Sequence, residues 1–286
     1  MQYSQMEGFK DIRPSPIAGS WYASDPLVLA AQVDRYINEA VVPSIDDHII
    51  GVIAPHAGYI YSGRTAGHAF RLVKSSNPEL VIILSPLHAY VQGSIITSGH
   101  DAYATPLGNV PVDNRASEQF ADLCSEKNIP LYSVRKDREH SLEIELPFLQ
   151  RSLAQPFSIL PIMIRQENAA TLQILGDILA AIAMKRNTLL VGSTDLSHFY
   201  SQKQAEQLDG TMLKAIEACS PDAVLRAEQS GTGFACGAPG IAVFLWAAKA
   251  LGADKCKIIH HSTSADETGD TSSVVGYGAG VVYKQT

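Results

Sequence analysis

The sequence has no apolar run of the ~20 residues a membrane-spanning helix needs, and its opening, MQYSQMEGFKDIRPSP, has neither a basic start nor an apolar core. Neither a membrane segment nor a secretory signal is expected, and a cytoplasmic protein is. Cationic residues are also scarce: 22 Lys and Arg stand against 29 Asp and Glu, with no basic cluster. A nucleic-acid partner, which needs a basic face to neutralise phosphates, is therefore not expected. Cysteines are few and far apart, at positions 124, 219, 236 and 256. That spacing favours reduced thiols over a disulfide frame. GxGxxG after a strand, GxxxxGK[ST], HExxH and GxSxG are all missing, which leaves dinucleotide, P-loop, zincin and nucleophile-elbow readings without a motif.

What is present is an alternation of strands and helices. Apolar, β-branched runs at Ile49–Ala54, Leu80–Leu84, Phe157–Ile164 and Thr188–Val191 read as buried strands. Between them the apolar spacing predicts helices at about 27–40, 62–73, 114–127 and 168–185. Further helices follow at about 202–218, 221–228 and 239–251, and the last strands at 257–261 and 273–283. Ser24 or Asp25 caps the first helix, with Pro26 at its first position, and Ser62 is expected to cap the second. Pro147 means that the helix around 142–150 either starts just before it or is kinked there. The expected fold class is α/β: one three-layer α/β/α domain over residues 1–286, with a mostly parallel, mixed central sheet.

Three of the strands end in the same way. Ile49–Ala54 hands over to Pro55-His56, Leu80–Leu84 to Ser85-Pro86-Leu87-His88, and Thr188–Val191 to a polar loop, GSTDLSH, that carries Asp195 and His198. In a parallel sheet such ends share one edge, where ligands bind. Two imidazoles and one anionic ligand suffice for a catalytic metal site, whereas any one of these histidines alone is equally a loop residue with a local hydrogen bond. Asp195 and His198, three apart, read as a carboxylate orienting a general base, or as a turn cap beside a solvated histidine. Cys236, in a glycine-rich loop just before a helix, is the best of the four cysteines for a ligand or nucleophile, because a helix N-terminus favours a thiolate. His140 and Glu143 read as pocket groups or as a solvated helix start. Tyr59, Tyr61 and Tyr277 are candidates to line a pocket, the alternative being plain packing.

The strings IRPSPIAGSWY, APHAGYIYSG, SPLH, EHSLEIELPFLQ, STDLSH, FACG and SSVVGYGAGVVY occur in this order over nearly the whole chain. Together they resemble the Memo-like family, whose fold is similar to that of class III extradiol dioxygenases. The resemblance implies metal ligands His56, His88 and Cys236, with Asp195 and His198 beside them. His198 would stand where the dioxygenases keep their acid/base, and His140, Glu143 and Tyr59 would contact the substrate. The dioxygenases hold iron with two histidines and a carboxylate, so a thiolate in the third place widens the choice to Fe(II), copper or zinc. The implied functions are a metal-dependent oxidoreductase acting on a small molecule or a peptide or phosphopeptide binding module; a metal-dependent hydrolase is a third reading, because a zinc-bound water beside His198 would suit hydrolysis. A radical-SAM protein is an implied partner.

Overall fold

The structure is a computed structural model that describes residues 8–45, 47–89 and 91–285. In chain order the strands are β1 (Ile12–Arg13), β2 (His48–Ala54), β3 (Leu80–Ser85), β4 (Ile95–Ser98), β5 (Ala102–Thr105), β6 (Gly108–Pro111), β7 (Tyr132–Val134), β8 (Ser158–Ile164), β9 (Thr188–Ser193), β10 (Asp195–Tyr200), β11 (Lys255–Thr263) and β12 (Val274–Lys284). The helices are α1 (Pro26–Glu39), α2 (Tyr59–Leu72), α3 (Asn114–Glu126), α4 (Leu146–Ser152), α5 (Ala169–Ala183), α6 (Gln202–Glu217), α7 (Pro221–Ser230), α8 (Ala238–Ala250) and the single turn α9 (Ala265–Thr268). Nine of the strands form one mixed sheet in the order β10-β12-β2-β9-β3-β8-β4-β7, with β11 also paired to β12, and β1-β5-β6 form a separate small sheet. The inner block β2-β9-β3-β8 is parallel.

The continuous apolar runs of that block follow from burial on both faces. Leu80, Ile82 and Leu84 of β3 point into a core shared with α3, α5 and α8. Val81 and Ile83 point the other way, to a core shared with α1, α2 and α4. Each such side chain, fully buried, contributes roughly 1.5–3 kcal/mol, so reversing the register of a central strand is prohibited from both sides. Asp25 caps α1 by accepting from the amides of Leu27 and Val28, as its sequence suggests. Helix α2 contains glycines where alanine would favour the helix by about 1 kcal/mol. The reason is α1: a Cβ on Gly67 would lie 2.4 Å from the Tyr36 carbonyl oxygen.

Several expectations are corrected. Helix α2 starts at Tyr59, so Ser62 is inside it and donates to the Ala57 carbonyl rather than capping. GSTDLSH is not a loop, because β10 runs through it: β2 stops at Pro55, and β10 takes over beside β12 in the lane that β2 vacates. Pro147 lies in the first turn of α4, preceded by a 3-10 turn at Glu143–Glu145, so the helix starts there and is not kinked. Finally, Cys219 and Cys256 form a disulfide, with their Cα atoms 5.5 Å apart. Cys219 lies just past the C-terminus of α6 and Cys256 on the outer strand β11, and the packing of α6 against β11 brings the two together. That tertiary contact is invisible in the spacing, so only Cys124 and Cys236 are free thiols.

Candidate metal centre

The parallel block points the C-terminal ends of β2, β9 and β3 at one edge, and the segments that leave these strands meet there. His56 leaves β2 and is 1% exposed. Its Nε2 lies 3.2 Å from Cys236 Sγ. His88 leaves β3, with its ring 5.4 Å from that of His56. One ligand atom from each of His56, His88 and Cys236 falls within a mutual 4.8 Å. Metal–sulfur bonds of about 2.3 Å and metal–nitrogen bonds of about 2.0–2.1 Å set neighbouring donors ~3.1–3.6 Å apart. The His56–Cys236 spacing lies in that range, so the residues fit a transition metal.

Each histidine has its second nitrogen engaged. His88 Nδ1 lies 2.9 Å from Glu139 Oε1, and its backbone amide donates to Oε2 at 2.6 Å. This is a carboxylate–histidine pair of the kind that aims Nε2 at a metal. His56 Nδ1 lies 2.9 Å from Ser193 Oγ, which is itself 2.6 Å from the Ser141 carbonyl oxygen and 2.7 Å from Glu145 Oε1. The hydroxyl gives its one proton to the carbonyl, and so accepts from His56 Nδ1–H and from a protonated Glu145. That leaves His56 Nε2 with a bare lone pair toward Cys236. A second group, His88, Glu139 and His140, is also close enough to hold an ion. There, however, the Glu139 carboxylate already accepts from His88 and from the amides of His140 and Ser141.

Charge in the site follows from burial. Burial, then the neighbouring His140 and His88, keeps His56 neutral well below its ordinary value. Burial brings His140 down to about 4 and also lowers His198. Burial likewise pulls on His88, but Glu139 outweighs it and holds the imidazole above its ordinary value. Burial pushes Asp195 up to about 7, against the amides of His56 and Ala57 that it accepts from. The Cys236 thiol is raised by burial and by Asp195, which overrides the helix N-terminus invoked from sequence. A bound cation would have to displace that proton.

A cavity of about 650 Å³ opens beside these groups, lined by His56, His88, His140, Asp195 and His198, with Trp21, Tyr61, Phe199 and Tyr277 among its walls. Asp195 and His198 both face it because a β-bulge lies between them. They are not partners of each other. His198 Nδ1–H donates to the Leu196 carbonyl at 2.7 Å, and Asp195 accepts from the His56 amide at 2.7 Å. The expected orientation of His198 by Asp195 is thus corrected to orientation by a backbone carbonyl.

Two expected substrate contacts are elsewhere. Tyr59 is 2% exposed, and its hydroxyl donates to the Ile144 carbonyl inside the core. Glu143 is fully buried and accepts from Arg13 at 2.5 Å, Ser15 at 2.5 Å and Tyr22 at 2.6 Å. His140 and Glu143 do not share a helix face, because no helix has begun at His140; one turns to the cavity and the other to the N-terminal segment. By anchoring Arg13, Ser15 and Tyr22, Glu143 fixes the segment that presents Trp21, whose ring lies 4.1 Å from that of His140. Sequence reasoning does not reach Trp21, Glu139, Ser193 or Glu145 as site residues. The signal for Glu139 is its place beside His140 in REHS, whereas nothing local marks Ser193 or Glu145.

Comparison with known proteins agrees with this architecture. A family profile described as Memo-like protein matches residues 13–281. A MEMO1 family protein of Nitrosopumilus maritimus is 36% identical over 272 residues, covering 94% of this chain and 98% of that one. A MEMO1 family protein of Archaeoglobus fulgidus is 32% identical over 279 residues, 96% and 100% of the two chains. Among solved structures, that of the uncharacterized protein JW3007 from Escherichia coli K12 superposes with a TM-score of 0.54 at 12% identity, over 82% of this chain and 99% of that one, a likeness of fold alone.

Proposed function

The chain belongs to the Memo-like protein family, with the extradiol-dioxygenase-like three-layer fold, and on that premise we propose that it is a transition-metal protein acting on a small organic molecule. His56, His88 and Cys236 hold the ion, which is iron or copper by preference, the same donors also suiting zinc. The observation that carries this reading is the convergence of three donor atoms within 4.8 Å, both imidazoles having their other nitrogen occupied. The ion, when bound, supplies Lewis-acid or redox chemistry at the floor of the cavity.

The chain's own residues do the rest. Trp21, Tyr61 and Phe199 offer an apolar wall against which a flat or aliphatic ligand displaces water. His198, neutral and with Nδ1–H tied to Leu196, turns Nε2 to the cavity as a proton acceptor. Asp195, held by the His56 amide, keeps the metal-side loop in place.

Metal analysis of protein purified without chelator tests the proposal. Bound iron, copper or zinc in the wild type, lost in a His56→Ala, Cys236→Ala double variant, is the expected result. No metal in the wild type, or unchanged metal in the variant, overturns it.

A second reading, a peptide-binding module, is favoured by the exposed apolar side chains at the cavity mouth: Ile60 is 61% and Phe199 75% exposed. Lysine and arginine are missing from the cavity lining among the described residues, which favours an unphosphorylated ligand within this reading. Retention of peptide affinity by metal-free His88→Ala protein supports the module, and its loss supports the metal centre.

A further inference from the structure

The donors of the candidate centre do not all face the same opening. His56 lines the large cavity, and Cys236 does not. Cys236 lines a second, separate cavity of about 200 Å³ on the β3 and β8 side of the centre, together with His88, Arg165, Gln166 and Glu228. His88 is common to both cavities. Cys236 as a residue is intermediate in burial, and of the two cavities it borders only the small one.

The sheet order explains the arrangement. The large cavity stands over β2, β10 and β12, and the small one over the ends of β3 and β8, with the centre between them along the same sheet edge. The small cavity shares Gln166, Glu228 and Pro239 with a neighbouring depression of about 260 Å³ between α7 and the N-termini of α5 and α8. Its polar members are a carboxylate, an amide and a guanidinium, in contrast to the aromatic wall of the large cavity. At about 200 Å³ it has room for several waters, each needing ~30 Å³, and no room for a ligand that fills the large cavity.

We propose that this small cavity is a second entrance to the candidate centre, through which neutral polar molecules of a few heavy atoms reach the Cys236 and His88 side while the principal ligand occupies the large cavity. A ligand seated against Trp21 and Phe199 closes the large opening. A small co-reactant, or a water that carries a proton, then arrives from behind without displacing it. The role given to the entrance rests on the proposed function; the access itself does not.

Iodoacetamide alkylation of the native, metal-free protein tests the access, followed by the intact mass and by mapping the label to Cys236. Cys124 is buried and Cys219 and Cys256 are joined, so a Cys236→Ser variant gives the blank. Gln166 and Ser273 are exposed and line the small and the large cavity respectively, so a tryptophan at either place obstructs one opening and leaves the core intact. Gln166→Trp is expected to slow alkylation about tenfold, an added barrier of about 1.4 kcal/mol, and Ser273→Trp to leave it unchanged. Slowing by Ser273→Trp alone, equal rates in all variants, or a wild type that stays unreactive at alkaline pH, where the thiolate fraction grows, each overturns the proposal. Because no metal is present, the outcome is independent of whether the centre binds one.

Discussion

Glu139→Gln is the sharpest probe of the candidate centre, because one carboxylate organises the His88 side of it. Oε2 accepts from the His88 amide at 2.6 Å, and Oε1 accepts from His88 Nδ1–H at 2.9 Å and from the amides of His140 and Ser141, both at 3.0 Å. A glutamine has one oxygen to offer. With that oxygen at the Oε1 position, its amide group faces the His88 N–H, donor against donor; the reverse orientation loses three bonds in place of one. The loss of one charge-assisted bond corresponds to about 1.5–3 kcal/mol of stability.

The consequence for metal binding is a looser His88 ring, and removal of such a supporting carboxylate weakens affinity by ~10–100-fold, or about 1.4–2.8 kcal/mol. Competition of the metal-free protein with a chelating dye for zinc measures this directly, with His88→Ala as the variant expected to lose more. The pH dependence adds a second readout. Glu139 holds His88 above its ordinary value of 6.5, so the proton competes with the metal as pH falls through that raised value. In Glu139→Gln the acid edge of His88 moves to lower pH while the affinity at any fixed pH above it drops. Unchanged affinity above the edge, or an edge that stays in place, would refute the assignment of His88 as a Glu139-supported ligand.

Other consequences are separable from metal binding. Glu143→Gln breaks a buried ion pair with Arg13 and should lower stability to urea by about 3 kcal/mol while leaving metal affinity intact; a binding loss as large as that of His88→Ala would return Glu143 to the site. Tyr59→Phe removes one buried hydrogen bond and should lower stability by ~1 kcal/mol, again with metal binding unaltered. Burial keeps the Glu145 carboxyl protonated well above its ordinary 4.5. The folded state therefore holds a proton that the unfolded chain releases, and stability falls as pH rises above 4.5, by at most ~1.4 kcal/mol per pH unit. Glu145→Gln should flatten the stability curve in that range, and parallel curves for the two proteins would show the carboxyl ionised. The Cys219–Cys256 bridge spans 37 residues, for which chain entropy gives ~4 kcal/mol. Replacement of both cysteines by serine should lower the urea midpoint accordingly, and an unchanged midpoint would mean that the bridge does not form in the protein.

The division between what one dimension and three dimensions decide is visible residue by residue. Burial on both faces leaves an unbroken apolar run, so β3 and β8 could be read directly, and a strand that must end at a proline announces the loop behind it. His56 and His88 as neighbours of one edge were legible for that reason, whereas Asp195 and His198 were legible only as residues that follow a third strand, since the polar segment that carries them reads as a loop and is strand β10. Local pattern carries no information about which distant groups complete a hydrogen bond. Asp195 turned out to serve the His56 amide rather than His198, Glu143 to serve Arg13, and Tyr59 the core. The Cys219–Cys256 bridge, the crossing of β10 into the lane that β2 leaves, and the two openings on either side of Cys236 exist only once the sheet order is set. The sequence by itself determined the layers and the candidate ligands, because periodicity and strand endings are local. Tertiary packing alone decided which side chains face the cavity and which donors each ligand leans on, because those depend on contacts between segments far apart in the chain, 139 positions for Asp195 with the His56 amide and 51 for Glu139 with His88.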